Sequence, residues 1–170
     1  YSPKLESRYR KNKPVTGQSV RMDETYIRVK GTWYYLYRAV DKAGKTVDFL
    51  FRKNRDKVAA RAFFDKAFGL SGQPEKVTID KSGSNFSALT DINKQLENPI
   101  EIRQVKYLNN IVEQDHRFIK RIVRPMMGFK AFHSAEATLA GIELCHMLRK
   151  GQYENAANCT AYEYFYSLAA

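Results

Sequence analysis

Val20-Arg21-Met22-Asp23-Glu24-Thr25-Tyr26-Ile27-Arg28-Val29, then Trp33 to Val40, then Thr46 to Phe51 are three successive runs rich in β-branched and aromatic residues. Such residues suit a pleated, half-buried surface. The breaks between the runs, Lys30-Gly31-Thr32 and Asp41-Lys42-Ala43-Gly44-Lys45, are short and turn-forming, so the stretch predicts three consecutive antiparallel strands. A meander therefore opens the fold.

Downstream, the pattern changes to alternating helices and strands. Asn54 reads as an N-cap with Asp56 in the first turn, and Val58, Ala62 and Phe63 recur at helical spacing until Gly69. Val77-Thr78-Ile79-Asp80 reads as a short buried strand, and Phe86, Leu89, Ile92 and Leu96 as a helix ending before Asn98-Pro99. Ile100 and Ile102 alternate with Glu101 and Arg103 and predict one more strand. Helices follow from about Asn109 to Arg124, stopping at Pro125, and from about Ser134 to Lys150, stopping at Gly151. The order predicts an α/β domain with a mixed five-stranded sheet, three antiparallel strands then two parallel, and helices on both faces.

Upstream of the meander, residues 1–18 are polar, carry Lys4, Arg8, Arg10, Lys11 and Lys13 against Glu6 alone, and contain Pro3 and Pro14. They read as a basic linker or arm, leaving 19–170 as one domain. With 170 residues, 44% of them hydrophobic, the chain can bury one substantial core. Its net charge of +11 makes a polyanion the first partner to test. Cys145 and Cys159 are too few for a disulfide framework and lack zinc-ligand spacing. No apolar run approaches membrane-spanning length, so a soluble cytoplasmic protein is expected.

Three carboxylates carry the candidate chemistry. Asp23 lies in a strand that otherwise suits a sheet interior, where a charge needs a partner or a metal. Asp80 closes the fourth predicted strand, and carboxyl ends of strands in open sheets are favoured places for sites. Glu113 lies on the helix beginning Asn109-Asn110-Ile111-Val112-Glu113. At about 100° per residue, Ile111, Val112, Phe118, Ile119 and Ile122 form an apolar arc, whereas Glu113, Arg117, Lys120 and Arg124 cluster on the opposite face. Asp115 falls inside the apolar arc, which assigns it a buried hydrogen bond or cap and favours Glu113 as the third carboxylate. His116, at the border, is expected to make a structural hydrogen bond, and Cys145-His146 to pack in the core.

Converging oxygen ligands of this kind suit two divalent ions, Mg²⁺ or Mn²⁺, in phosphoryl transfer. Acidic residues at strand ends are common, so spacing alone leaves all three open as ordinary turn, strand-end or solvated residues.

The motifs say more than the spacing. Asp23-Glu24-Thr25-Tyr26, Thr78-Ile79-Asp80-Lys81-Ser82-Gly83-Ser84-Asn85-Phe86 and Lys106-Tyr107-Leu108-Asn109-Asn110-Ile111-Val112-Glu113-Gln114-Asp115-His116-Arg117-Phe118-Ile119-Lys120-Arg121 resemble the DDE transposases of bacterial insertion sequences. Insertion sequence family six, whose members look like retroviral integrase cores, is the nearest match, from about Val20 through Met147-Leu148-Arg149-Lys150-Gly151. The resemblance implies a ribonuclease H-like fold, with Asp23, Asp80 and Glu113 as first, second and third metal ligands. It makes Lys120 a DNA-approaching base two turns after Glu113, beside Arg117 and Arg124. The 32 residues between Asp80 and Glu113 are slightly fewer than is usual in the family.

The implied reaction is attack of water on DNA, then attack of the freed 3′-hydroxyl on a target phosphodiester, with no covalent protein–DNA intermediate. The implied partners are element ends and a target duplex, with a homodimer or higher oligomer on DNA in the bacterial nucleoid. Family members usually carry an upstream helix-turn-helix domain, and residues 1–18 are too short to be one, so sequence-specific end binding is expected to be absent or weak. A basic DNA-binding or assembly module without turnover, and a ribonuclease H-like nuclease, are the alternative readings.

Overall fold

A computed structural model describes residues 1–14, 17–154 and 156–169, with Lys106 by its backbone alone. The chain opens on a helix, α1 (Ser2–Lys11), and then lays down the meander as β1 (Ser19–Val29), β2 (Thr32–Asp41) and β3 (Thr46–Arg52). After it come α2 (Lys57–Ser71), β4 (Lys76–Thr78), α3 (Gly83–Asn93), β5 (Glu101–Arg103), α4 (Asn110–Val123), α5 (Phe132–Arg149) and α6 (Ala161–Ala169). The five strands form one sheet in the order β3-β2-β1-β4-β5. The meander pairs antiparallel, and β1/β4 and β4/β5 pair parallel.

Two compact units divide the chain, residues 16–128 and residues 1–15 with 129–170. In the first, the turn joining β1 to β2 has two residues, Lys30 at φ 49° and Gly31 at φ 79°. Two positive φ values in a two-residue loop match the right-handed twist of the flanking strands, which fixes the register Val29↔Thr32 and every pair behind it. On one sheet face Val20 and Met22 of β1 and Tyr37 and Ala39 of β2 pack against Phe63 and Phe64 of α2 and Leu89 and Ile92 of α3. Each large side chain buried there contributes about 1.5–3 kcal/mol.

The opposite face carries Arg21, Asp23 and Thr25, and α4 lies over β1 and β2 with Val112, His116 and Ile119 buried. Arg38, opposite Asp23 in the register, is fully buried and its Nη2 donates to Asp115 Oδ2 at 2.7 Å. Asp115 is thus the buried partner that its place on the apolar arc implied.

Several local expectations are corrected. The cap of α2 is Asp56, not Asn54: its Oδ1 accepts from Ala59 N at 2.8 Å, and the helix runs past Gly69 to Gly72. Strand β4 ends at Thr78, two residues before Asp80.

In the second unit, Ser2–Lys11 of the expected basic linker or arm form a helix. Tyr9 is fully buried and its hydroxyl donates to Gln152 O, while Arg8 Nη1 donates to Leu168 O at 2.7 Å. Residues 15 and 16 of the expected linker lie outside the described residues, as does residue 170. Cys145 is exposed, not in the core, and both cysteines are free thiols. No helix among the described residues is long and apolar enough to cross a membrane.

Candidate active site

The parallel pairing Arg21↔Thr78 is the last between β1 and β4, so from Met22 onward β1 has an open edge on that side. Continued by two residues, the same register places Asp80 beside Asp23. Carboxylate oxygens of Asp23, Glu24 and Asp80 do lie within 4.8 Å of one another. Glu24 is the member that sequence reasoning missed. Its signal was present in Asp23-Glu24, because adjacent strand residues flank the sheet on opposite sides and both can approach a group at the strand edge.

The three acids have unequal surroundings. Asp80 Oδ1 accepts from Ser82 N at 3.0 Å, so the turn into α3 holds the carboxylate in place. Glu24, on the α2/α3 side, is buried and accepts from Asn85 Nδ2 at 3.0 Å. Arg55 closes the arrangement, donating to Asp80 Oδ2 at 2.9 Å and to Glu24 Oε1 at 3.3 Å. Burial pushes the Glu24 carboxyl above its ordinary range, and Arg55 and Asn85 oppose that shift. Burial works against the Arg55 charge as well, but Glu24 and Asp80 outweigh it.

Among the described residues, Asp23 has no such Lys or Arg partner. Its pKa is pushed up to about 7 by burial first and then by the negative charges of Glu24, Asp80 and Glu113, against one backbone hydrogen bond from Glu24. The nearby His116 does not compensate. Its Nδ1 is 3.7 Å from Asp23 Oδ2, beyond hydrogen-bonding reach, and burial followed by Arg38 and Lys120 lowers its pKa to about 3. The ring is neutral at neutral pH, and its buried Nε2 has no hydrogen-bond partner among the described residues, contrary to the expected structural bond.

Glu113 does not join the 4.8 Å cluster. It is exposed on α4 and faces a cleft of about 700 Å³ whose other wall is Asp23, Glu24 and Tyr26. The start of α4 is pinned to that wall, since Asn109 Nδ2 donates to Met22 O at 3.3 Å, and Glu113 follows one turn later. Arg117, Lys120 and Arg124 line the same cleft, together with Arg121, which sequence reasoning had not singled out.

An all-oxygen donor set, with one member pushed toward protonation by burial and by its acidic neighbours, has the chemistry of a site for hard divalent cations. The cationic helix wall beside it is suited to phosphate.

The fold has well-matched counterparts among solved structures. The HTLV-2 integrase catalytic core domain in complex with magnesium, in its trimeric form, aligns over 87% of this chain and 95% of its own, with TM-score 0.57 and 16% identity. The catalytic core domain of BIV integrase aligns over 89% and 95%, with TM-score 0.55 and 13% identity. The architecture is therefore the ribonuclease H-like fold of integrase catalytic cores.

The sequence places the chain more narrowly. A family model of the IS240 transposase type, described as a DDE domain, matches residues 17–152, and the chain belongs to that family. The transposase for insertion sequence-like element IS431mec of Staphylococcus aureus strain Mu50 is 39% identical over 151 residues, covering 88% of this chain. The transposase for insertion sequence element IS257 in transposon Tn4003 of Staphylococcus aureus is likewise 39% identical. The chain spans 66% of the length of these relatives.

Proposed function

We propose that this chain is the catalytic domain of a transposase, performing divalent-metal-dependent cleavage and strand transfer of DNA. The observation that carries the reading is the approach of Asp23, Glu24 and Asp80 oxygens within 4.8 Å, at the mouth of a cleft that also holds Glu113 and the α4 cations, in a DDE-family chain. Asp23 and Asp80 would hold Mg²⁺ or Mn²⁺, with Glu113 completing the set from α4. The magnesium of the HTLV-2 integrase core supports that choice of ion. Two bound ions would activate the attacking oxygen and stabilise the leaving one.

The chain's own residues do the rest. Arg117, Lys120 and Arg124 hold backbone phosphates without reading sequence. Neutral His116 closes the floor of the cleft beside Asp23 without adding charge. The reaction is hydrolysis of one phosphodiester to free a 3′-hydroxyl, then attack of that hydroxyl on a phosphodiester of a second duplex. Joining two element ends implies a homodimer or higher oligomer on DNA, working at the bacterial nucleoid.

Asp23→Asn, Asp80→Asn and Glu113→Gln should each eliminate Mn²⁺-dependent strand transfer while the melting transition persists. Strand transfer retained by any of them removes that residue from the assignment. One feature favours a second reading, a DNA-binding module without turnover: Arg55 already bridges Asp80 and Glu24. Mn²⁺-dependent joining of a 3′-end to a second duplex decides against it. Release of fragments without joining would instead indicate a nuclease.

A further inference from the structure

The end of the β1–β2 hairpin nearest its turn is aromatic and exposed. Tyr26 is 49% and Trp33 55% exposed. Tyr26 and Tyr35 are directly opposed in the register, as are Arg28 and Trp33, so all four share the sheet face that carries Glu24. Their rings are in contact: Tyr26 lies 6.3 Å from Trp33 and 5.4 Å from Tyr35, centroid to centroid. The Arg28 guanidinium sits 5.9 Å from the Trp33 ring centroid. Tyr35 is partly buried against the core and anchors the group, whereas Trp33 is its outer end.

Single exposed aromatic residues need no explanation, but a contiguous group that keeps its rings in water across from a turn does. Charge identifies what covers it. Between Thr25 and Tyr35 the hairpin carries Arg28 and Lys30 and no acidic residue, and exposed Arg52 stands opposite Tyr35 on β3. Aromatic rings interleaved with cations, without acids, are complementary to a nucleic-acid strand: the rings stack on bases and the cations meet phosphates.

The patch also continues into the acid cleft, because Tyr26 lines both. From Glu24 to Arg28 the strand advances about 13 Å, the length of about four stacked nucleotides. In a duplex the base faces are hidden between neighbours, so only an unpaired base can use such rings.

We propose that Tyr26, Trp33 and Tyr35, rimmed by Arg28 and Arg52, form a stacking platform for unpaired bases of the DNA strand whose phosphodiester occupies the acid cleft. The proposal rests on the DNA-acting reading above and adds to it a site for single-stranded DNA. The platform holds the strand open beside the reacting phosphate, and it lies outside the carboxylates and the α4 cations.

Trp33 is the only tryptophan of the chain, so its emission reports on this site alone. The experiment titrates the full chain at low salt with a fluorescein-labelled single-stranded oligonucleotide and with a blunt duplex of equal length, following label anisotropy and Trp33 emission together. The expected result is quenching of Trp33 that tracks the anisotropy isotherm for the single strand, with little change for the duplex. Trp33→Ala should weaken single-strand binding by about tenfold, with Trp33→Phe recovering most of it.

Bound single strand with unaltered Trp33 emission overturns the platform, as does equal quenching by both DNAs. An emission change that depends on protein concentration without DNA overturns it too, and gives the patch to a second copy of the chain. If neither DNA binds, the DNA-acting reading itself fails and the platform with it, whereas binding with a silent Trp33 defeats the platform alone.

Discussion

Asp23 and Glu24 are neighbours in one strand, and burial raises the pKa of both, yet the two sides of β1 offer their charges different partners. On the α2/α3 side, Glu24 is buried with Asn85 and Arg55 in place, and its charge is answered within the protein. On the α4 side, Asp23 is partly buried among three other carboxylates beside a neutral imidazole, and its pKa rises to about 7. A satisfied buried carboxylate contributes to the fold, whereas one left wanting a cation stores the drive to bind one. The comparison separates a carboxylate with cation and amide partners from one without them, where the sequence shows only Asp-Glu.

The largest expected effect tests that separation directly. Asp23→Asn should remove Mn²⁺ binding, measured by calorimetry, and raise the melting temperature of the metal-free protein by relieving repulsion. Glu24→Ala should instead cost about 2 kcal/mol in urea unfolding, because Arg55 and Asn85 lose an acceptor. If both variants moved stability the same way, the two sides would not differ as described.

A second contrast lies on α4. Asp115→Ala leaves Arg38 without its carboxylate partner in the interior and should cost about 3 kcal/mol, whereas exposed Glu113→Gln should leave the unfolding midpoint nearly unchanged. Equal destabilisation would contradict the division of that helix into buried and cleft-facing acids.

The pH dependence follows from Asp23. With a folded pKa raised to about 7 from 3.8, its favourable share of metal-free stability is present below pH 3.8 and is lost as pH rises through 7. Mn²⁺ must displace the retained proton, so affinity should fall about tenfold per pH unit below 7. Calorimetry between pH 5.5 and 8 would show a flat profile if the proton is absent. His116 acts with the opposite sign: its pKa is lowered to about 3, so stability is lost as pH falls from 6.5.

The smallest effects belong to the cleft's cations. Arg117→Ala, Lys120→Ala and Arg124→Ala should each reduce the slope of log affinity against log salt by about one, equally for unrelated DNA sequences. A sequence-selective loss would assign base contacts to them instead.

Strand alternation and helical periodicity made the sheet and its covering helices legible, because their apolar residues recur with the period of the element. Residues 2–11 lacked that pattern: Leu5 and Tyr9 are its only large apolar pair one turn apart, and a polar helix held by Arg8 and Tyr9 contacts reads as a linker. Helix α6 did announce itself. Thr160 and Glu163 form reciprocal hydrogen bonds, Thr160 N to Glu163 Oε2 at 2.8 Å and Glu163 N to Thr160 Oγ1 at 3.2 Å, the capping-box spacing visible in the sequence but not read. In the site, Asp23 and Asp80 followed from strand position. Glu24 and Arg55 did not, because their partnership joins positions 31 residues apart through side-chain geometry alone.

The Lys30-Gly31 turn has no slack, and that has an evolutionary consequence. Pleating alternates sides at every residue, so one inserted residue that slipped β2 against β1 would turn Trp33 away from Tyr26 and, with it, Tyr37 and Ala39 out of the core and Arg38 away from Asp115. Length at this single bend is thereby locked to the packing of the whole sheet, and descendants of the gene can vary its residues more freely than its span.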